Sequence, residues 1–442
     1  YNTAVGNTAL SENTTGGYNT AVGTHCLQEN TTANYNTAVG MYALQKNTTA
    51  SYNTSIGYAA AGVNTTGSLN TGLGAQTLYA NTTGSYNTAG GVNAMGTNTT
   101  GGYNTAYGVN ALANNTTANN NTAVGNDALL TNTTGSANVA VGENCFALLT
   151  TAANNTGVGS NAGYSMTTGH SNVFMGRYAA KDCDTGVGNV AIGFYALSSD
   201  QNGTTDTEYT VAIGYQAGKK TSTGEHNTLI GAYAGEDTTT ADDNVAVGYQ
   251  ALSDCTTGGT NTAVGYRASR QSTTATGITA IGNAAGDGLN TTDRLYIARN
   301  ADAAGNDGLW IHGDEVGACI QGNNSTAWST TSDRRLKKNI VDSSKGLAEI
   351  NQIRVADFQY RAENEIDMTE FPLADGPHQV VLRKGDEKVY AGVIAQEVET
   401  VLPECIKVSD KGAKTVNTDP IMWALVNAVK ELSAKVAALE AA

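Results

Sequence analysis

The chain has 442 residues, a formal net charge of −15, and 52 glycines against 4 prolines. That length admits roughly two to four domains or one long repeat array, and the acidic balance argues against nucleic acid, whose phosphates need a basic surface. Cys26, Cys145, Cys183, Cys255, Cys319 and Cys405 lie far apart without CxxC or Cys/His spacing, so no disulfide framework, metal site or cofactor is indicated. No apolar run approaches the roughly 20 residues of a membrane span, and no signal peptide is visible. The chain opens at Tyr1 in mid-repeat and without Met, as expected of a piece of a longer protein.

From the first residue the sequence is a ruler. "YNTAVG" begins at Tyr1, Tyr18 and Tyr35 and returns as "YNTSIG" at Tyr52, "LNTGLG" at Leu69 and "YNTAGG" at Tyr86, always 17 residues on. The closing Gly recurs from Gly6 through Gly125 to Gly193; one step then widens to 21 through "SSDQNGTTDTEY", and the ladder resumes at Gly214 and ends at Gly282. Three residues after the Gly stands a small residue (Ala9, Cys26, Ala43), and one residue before it stands Val5, Val22, Val39 or Ile56. A unit this short, without helical periodicity, fits an all-β repeat solenoid, a parallel β-roll or β-helix of short strands and turns stacked in register. A column that is always Gly marks a backbone site where a Cβ is forbidden. The Ala column faces a cramped interior, with Cys26 and Cys145 as small buried fillers. The Val column is assigned to the core. Seventeen coils at about 4.8 Å each make a rod on the order of 80 Å long. One Val or Ile, an Ala and sometimes a Leu per coil make a thin core, so trimerisation is expected to bury a second face.

Three surface readings of the array compete with structural ones. The Asn-Thr-Thr triplets from Asn13 to Asn132 match glycosylation sequons, but turn Asn and Thr bonding their own backbone are favoured. The column Tyr1, Tyr18, Tyr35, Tyr52, Tyr86 and Tyr103 could stack on sugars, yet an aromatic ladder is favoured. Thr arrays could order water, which fits poorly with an attached folding module. These "NTAVG" coils, over residues 1–300, resemble the head β-rolls of trimeric autotransporter adhesins, whose repeats are shorter, and also phage tail-fibre arrays. The resemblance implies a trimeric, parallel β-roll.

Residues 1–294 are read as the shaft and 295–331 as a β-rich neck carrying Trp310 and Trp328. After Ser332 charge becomes dense and all four prolines appear, which marks a third segment, 332–442, of α+β type. "SSKGLAEINQI" and "AQEVETVL" read as helices, the latter stopped by Pro403, and "VADFQY", "KVYAGVI", "ECIKV" and "KTVN" as strands. Asp419 is the expected N-cap of a last helix with Pro420 in its first turn. Met422, Leu425, Val429, Leu432, Val436 and Leu439 form an a/d seam over about 420–440, so a short coiled coil joining several chains is expected. Val at a and Leu at d lean toward dimers, so a trimer must be imposed by the rest of the protein. Packing of the helix on its own domain is the alternative.

Between neck and tail stands "STTSDRRLKKNI", residues 329–340. A Ser hydroxyl attacks only when a base takes its proton, and Lys serves as that base only when neutral. Arg334, Arg335 and Lys338 would depress the pKa of Lys337. Spacing alone leaves a solvated basic loop as the better reading. However, "TSDRRLKKNI", "YAGVIAQEVETVLPE" and "DPIMWALVNAVKEL" occur in that order, and together they resemble the C-terminal intramolecular chaperone, auto-processing family of phage endosialidase tailspikes and tail fibres, with a relative in myelin regulatory factor. That family opens on Ser-Asp-x-Arg-Leu-Lys, matched by Ser332, Asp333, Arg335, Leu336 and Lys337. The resemblance implies a domain that trimerises, guides assembly of the β-rich trimer upstream, and cuts itself off. It implies Ser332 as nucleophile and Lys337 as general base, with Asp333, Arg335 and Gln396 in support. It also implies a homotrimeric virion component, extracellular, structural or host-binding, with a host-surface glycan or protein as receptor. A bacterial trimeric surface adhesin is one alternative. A glycan-degrading spike whose catalytic domain lies outside this sequence is another.

Overall fold

The computed structural model describes residues 1–198, 207–298, 309–313, 319–321, 342–359, 369, 389–408 and 414–441. It divides into two units, 1–329 and 330–442.

The first unit is a parallel β-solenoid. Each coil contributes one three-residue strand, from β1 (Thr3–Val5) to β17 (Thr279–Ile281), and each strand pairs in parallel with its equivalent one coil away. The register is identity, Thr20 on Thr37 and Val22 on Val39. It survives the 21-residue step, where Val190–Ile192 pairs with Val211–Ile213; part of that insertion, 199–206, lies outside the described residues. Parallel pairing continues through β18 (Leu295–Ala298), which then pairs antiparallel with β19 (Leu309–Gly313), itself antiparallel to β20 (Cys319–Gln321). Trp310 falls on β19 and Trp328 lies outside the described residues.

The invariant Gly follows each strand with φ between 116° and 141°. A Cβ at Gly125 would stand 2.4 Å from the carbonyl oxygen of Gly142 in the next coil, and at Gly248 2.3 Å from that of Gly265. Both the dihedral and the approach of the neighbouring backbone therefore exclude any side chain. Farther round the coil, bends are made by non-glycine residues in the left-handed region. His25 (56°) and Leu27 (47°), and several coils later Asn110 (55°) and Leu112 (54°), occupy the second and fourth positions after the Gly. Each such residue costs about 1–2 kcal/mol. Inter-coil hydrogen bonds offset this cost, for example Leu27 N–H to Ala43 O at 3.0 Å and His25 N–H to Asn7 O at 2.9 Å.

The strands decide which columns are core, and the expected assignment of the Val column is overturned. From β2 (Thr20–Val22) to β17 the central residue is buried and, Gly90 apart, its neighbours face outward: Ala21, Ala38 and Ala123 are fully buried, whereas Ile56 is 43 % and Leu73 40 % exposed. Successive strand side chains alternate faces, and only a small residue fits the inner position in most coils, because Leu27, Leu44, Leu112 and Leu129 already fill the interior. Where the inner strand residue grows, its partner shrinks. Phe174 and Phe146 pack 5.9 Å apart, and a Cβ on Gly163 would meet Phe146 Cε1 and one on Gly157 Phe146 Cε2 at 2.5 Å. Leu229 is similarly flanked by Gly218 and Gly235. Core volume is conserved coil by coil.

Two polar ladders run through the same interior. Asn30, Asn47, Asn64, Asn81, Asn98, Asn115 and Asn132, the sequon residues, are fully buried. Asn98 Nδ2 donates to Asn81 Oδ1 (2.7 Å) and to Gly101 O (2.9 Å). They are structural, not glycan acceptors. The ladder stops where Leu149 replaces Asn, which leaves Asn132 Oδ1 buried without a hydrogen-bond partner. The second ladder, not anticipated from the sequence, is the Asn that precedes most strands, with Thr210 and Ile278 taking its place before β13 (Val211–Ile213) and β17. Asn36 Oδ1 accepts from the Asn53 backbone N–H (2.9 Å), and Asn36 Nδ2 donates to Ala50 O (2.9 Å). The Tyr column is an aromatic ladder, as favoured: Tyr18, Tyr35 and Tyr52 stack at 4.9–5.0 Å, so their ring faces are covered by one another. The cysteines at interior positions are buried fillers, and burial pushes the thiol of Cys26 up to about 11 and that of Cys145 to about 12.

Gly125→Ala should destabilise the full chain by roughly 3 kcal/mol, through forbidden dihedral plus backbone overlap, whereas Thr117→Ala, on an exposed turn, should stay within about 0.5 kcal/mol. Denaturant titration followed by circular dichroism reads both; equal midpoints would remove the Gly column from the stacking constraint.

Candidate functional site

The second unit is small and mixed. A short helix α1 (Leu347–Ile350) precedes β21 (Ala356–Phe358), which pairs antiparallel with β22 (Tyr390–Gly392). Helix α2 (Ala395–Val401) follows, Pro403 opens a 3-10 turn, and β23 (Ile406–Val408) pairs antiparallel with β24 (Lys414–Val416) before helix α3 (Thr418–Glu440). Val398, Leu402 and Cys405 are buried at its centre, with Ile353, Val393, Ile406, Val416 and Ile421 packed around them. The N-cap of α3 is Asn417, not the expected Asp419: Asn417 Oδ1 accepts from the Asp419 N–H at 3.2 Å. Asn417 N–H also donates to Cys405 O at 2.6 Å, which fixes the cap two residues earlier.

Ser332, Asp333, Arg335 and Lys337 lie outside the described residues. Gln396 is described; it sits exposed in the first turn of α2. Its neighbour Glu397 is engaged by Arg354, whose Nε donates to Oε2 at 3.1 Å. That guanidinium holds the Glu397 carboxyl below the usual carboxylate range.

The described chain resumes ten residues after Ser332 and docks at once on α3. Asn427 Nδ2 donates to Lys345 O at 2.9 Å. Glu349 Oε2 accepts from Gly346 N–H at 2.8 Å, and this bond and a second backbone N–H keep that carboxyl below its ordinary value. A Cβ on Gly346 would overlap Glu431 Oε1, so the backbone passes against the helix there. Asn427 and Gly346, which the sequence did not single out, hold the 342–346 segment against α3.

Helix α3 spends little of its apolar surface on this unit. Ala424 and Ala428 are its buried residues, while Met422, Leu425, Val429, Leu432, Val436 and Leu439 are all exposed, Leu439 to 78 %. The helix does pack on its own unit, through Ile421, Ala424, Ala428 and Asn427, but the seam residues take no part in that packing. The seam residues therefore form an exposed apolar stripe along α3. No helix among the described residues is long and apolar enough to cross a membrane.

Residues 332–407 match the model of a peptidase family described as chaperone of endosialidase. No curated protein matches the chain. The match starts at Ser332, runs through Gln396 and ends in β23, before the seam of α3 begins. Over these residues the C-terminal region is therefore similar to that chaperone family.

Replacing Val429 and Leu432 together by Asp should leave the unit folded, since both are about half exposed, yet force two unpaired charges into any helix–helix seam at a cost of several kcal/mol. Sedimentation should then give the 45.4 kDa of one chain; a mass unchanged from the parent protein would show that the seam is not needed to join the chains.

Proposed function

We propose that the chain is part of a trimeric phage tail fibre or spike, with a structural and host-binding shaft over 1–294, a neck over 295–331, and a self-cleaving assembly chaperone over 332–442. The observation that carries this reading is the family match opening on the Ser-Asp-Arg-Arg-Leu-Lys run, set behind a solenoid whose coils are near-copies. Ser332 is the nucleophile and Lys337 its general base, kept neutral by Arg334, Arg335 and Lys338 and by desolvation between subunits. Asp333, Arg335 and Gln396 support the site.

Attack of the Ser332 hydroxyl on the Thr331 carbonyl closes a five-membered ring. The C–N bond breaks, the acyl group passes to Oγ as an ester, and the proton taken by Lys337 goes to the departing amine. Water then hydrolyses the ester. Attack on the Ser332 carbonyl itself would need a strained four-membered ring or a serine from another chain. Cleavage on the N-terminal side of Ser332 is therefore favoured.

The need for a chaperone follows from the shaft. Three chains must associate at one level, yet each 17-residue coil offers the next chain nearly the same surface, so slipped alignments are close in energy. A C-terminal unit that joins three chains first would set the alignment. The contact of Asn427 with Lys345 O ties the proposed oligomer helix to the chain eight residues past Lys337, which gives scission a route to depend on assembly. Once the unit is released, the aligned trimer is held kinetically.

Ser332→Ala and Lys337→Ala should each give one full-length band on a denaturing gel where the parent chain gives two, and should still sediment as trimers. Cleavage persisting in Ser332→Ala would refute the dyad. Intact mass of the smaller fragment locates the bond, and a terminus away from residues 331–333 would overturn the assignment.

A further inference from the structure

The outward face of the solenoid sheet has a composition unlike the rest of its surface. Its two columns are the first and third residues of every strand. The first is Thr or Val throughout, as in Thr37, Thr122 and Val245; the third is Val, Ile, Leu or Met at all but two coils. Not one of these positions carries a charge from β1 to β17, although acids and bases occur in the turns. The third column is at least partly exposed in every coil but that of Gly90, Ile56 by 43 %, Met175 by 40 % and Ile281 by 42 %.

The face is also kept flat. Its two departures are Gly90 and Tyr107, in consecutive coils, and they compensate one another. A Cβ on Gly90 would stand 2.5 Å from Tyr107 Cδ1, so the Tyr107 ring leans across the space left by Gly90. A solvent-facing sheet gains nothing from such levelling; a sheet that packs against another does.

We infer that this Thr/Val face is the shaft's interface between copies of this chain. The reading rests on the trimeric assembly proposed above and names the surface used. Three strand residues span about 10 Å and seventeen coils about 80 Å, which gives roughly 800 Å² per chain, the size that a stable interface needs from each partner. The face repeats one chemistry along its whole length. Only a partner with the same axial repeat can match every rung, and another copy of this chain has it. Uncharged β-branched side chains lose little rotamer freedom on burial and leave no ion unpaired. Copies related by rotation about an axis along the shaft place equivalent residues at equal heights, so Val124 of one chain would approach Val124 of the next.

The test uses the full chain with Val124→Cys on the face, Val264→Cys as a second site on the same column, and Thr117→Cys on an exposed turn away from it. Each protein is treated with a short bis-maleimide, beside the unsubstituted chain, and mass is measured by light scattering. Cross-linked chains on a denaturing gel for the V124C and V264C proteins, with the T117C protein remaining single, would support the interface. A three-chain mass with V124C and V264C both uncrosslinked would overturn the face while leaving the trimer intact. A one-chain mass would overturn both.

Discussion

Everything in the solenoid depends on one contact, the passage of each Gly column residue over the carbonyl of its successor. At 2.3–2.8 Å from a would-be Cβ in Gly6 through Gly265, no other residue can stand there, and the spacing of these glycines sets the coil length. The buried asparagines multiply the constraint. Asn81 gives part of its hydrogen bonding to Asn64 and takes part from Asn98, so a coil folded alone would hold unsatisfied amides at about 1–3 kcal/mol each. Stability is a property of stacked neighbours. The orphaned oxygen of Asn132, where Leu149 ends the ladder, is what every rung would look like without its partner.

The same uniformity limits what the solenoid can specify. Along one chain, connectivity fixes the order of coils, and features such as the Phe146–Phe174 pair against Gly157 and Gly163 mark a place only internally, where another chain cannot feel them. Outward, the sheet shows Thr and Val at coil after coil. Identity between rungs gives a large area but little preference among alignments, because a slip of one whole coil exchanges Val for Val or Ile.

Much of this was legible in the residues. An invariant column reads as Gly for a reason of backbone geometry, and the small column three residues later reads as crowded; both hold. The direction of the Val column did not follow. A three-residue strand has two possible phases, and hydropathy alone favours burying Val over Ala. Volume decides instead: with Leu27 or Leu112 and two asparagine ladders inside the coil, the inner strand position has room for a methyl. The buried Asn before most strands was hidden because an amide side chain beside a short strand gives no local sign of which face it takes. At the C-terminus, Asn417 and Asp419 are both competent caps two residues apart, and only the bond from Asn417 N–H to Cys405 O selects between them. The chemistry proposed for Ser332 and Lys337 rests on the motif alone, since both residues lie outside the described structure.

The two exposed apolar surfaces differ in what they can encode. The seam of α3 alternates Met, Leu and Val at spacings of three and four, and a helix sliding by one residue turns the seam away from its partner. A short seam therefore fixes relative height sharply while burying little. The Thr/Val sheet does the reverse, since its match is long and its alignment is weakly defined. A small unit that sets level and an extended unit that supplies area are each insufficient, and they are needed at different times. Level must be set before the sheet faces close, because a misaligned pair of long faces is costly to separate. Once they have closed in register, every rung resists the slip, and the seam has nothing left to specify. On the function proposed above, the C-terminal unit is needed only during assembly, and the proposed cleavage at Ser332 falls between the extended face and the seam, where its removal costs the closed shaft nothing.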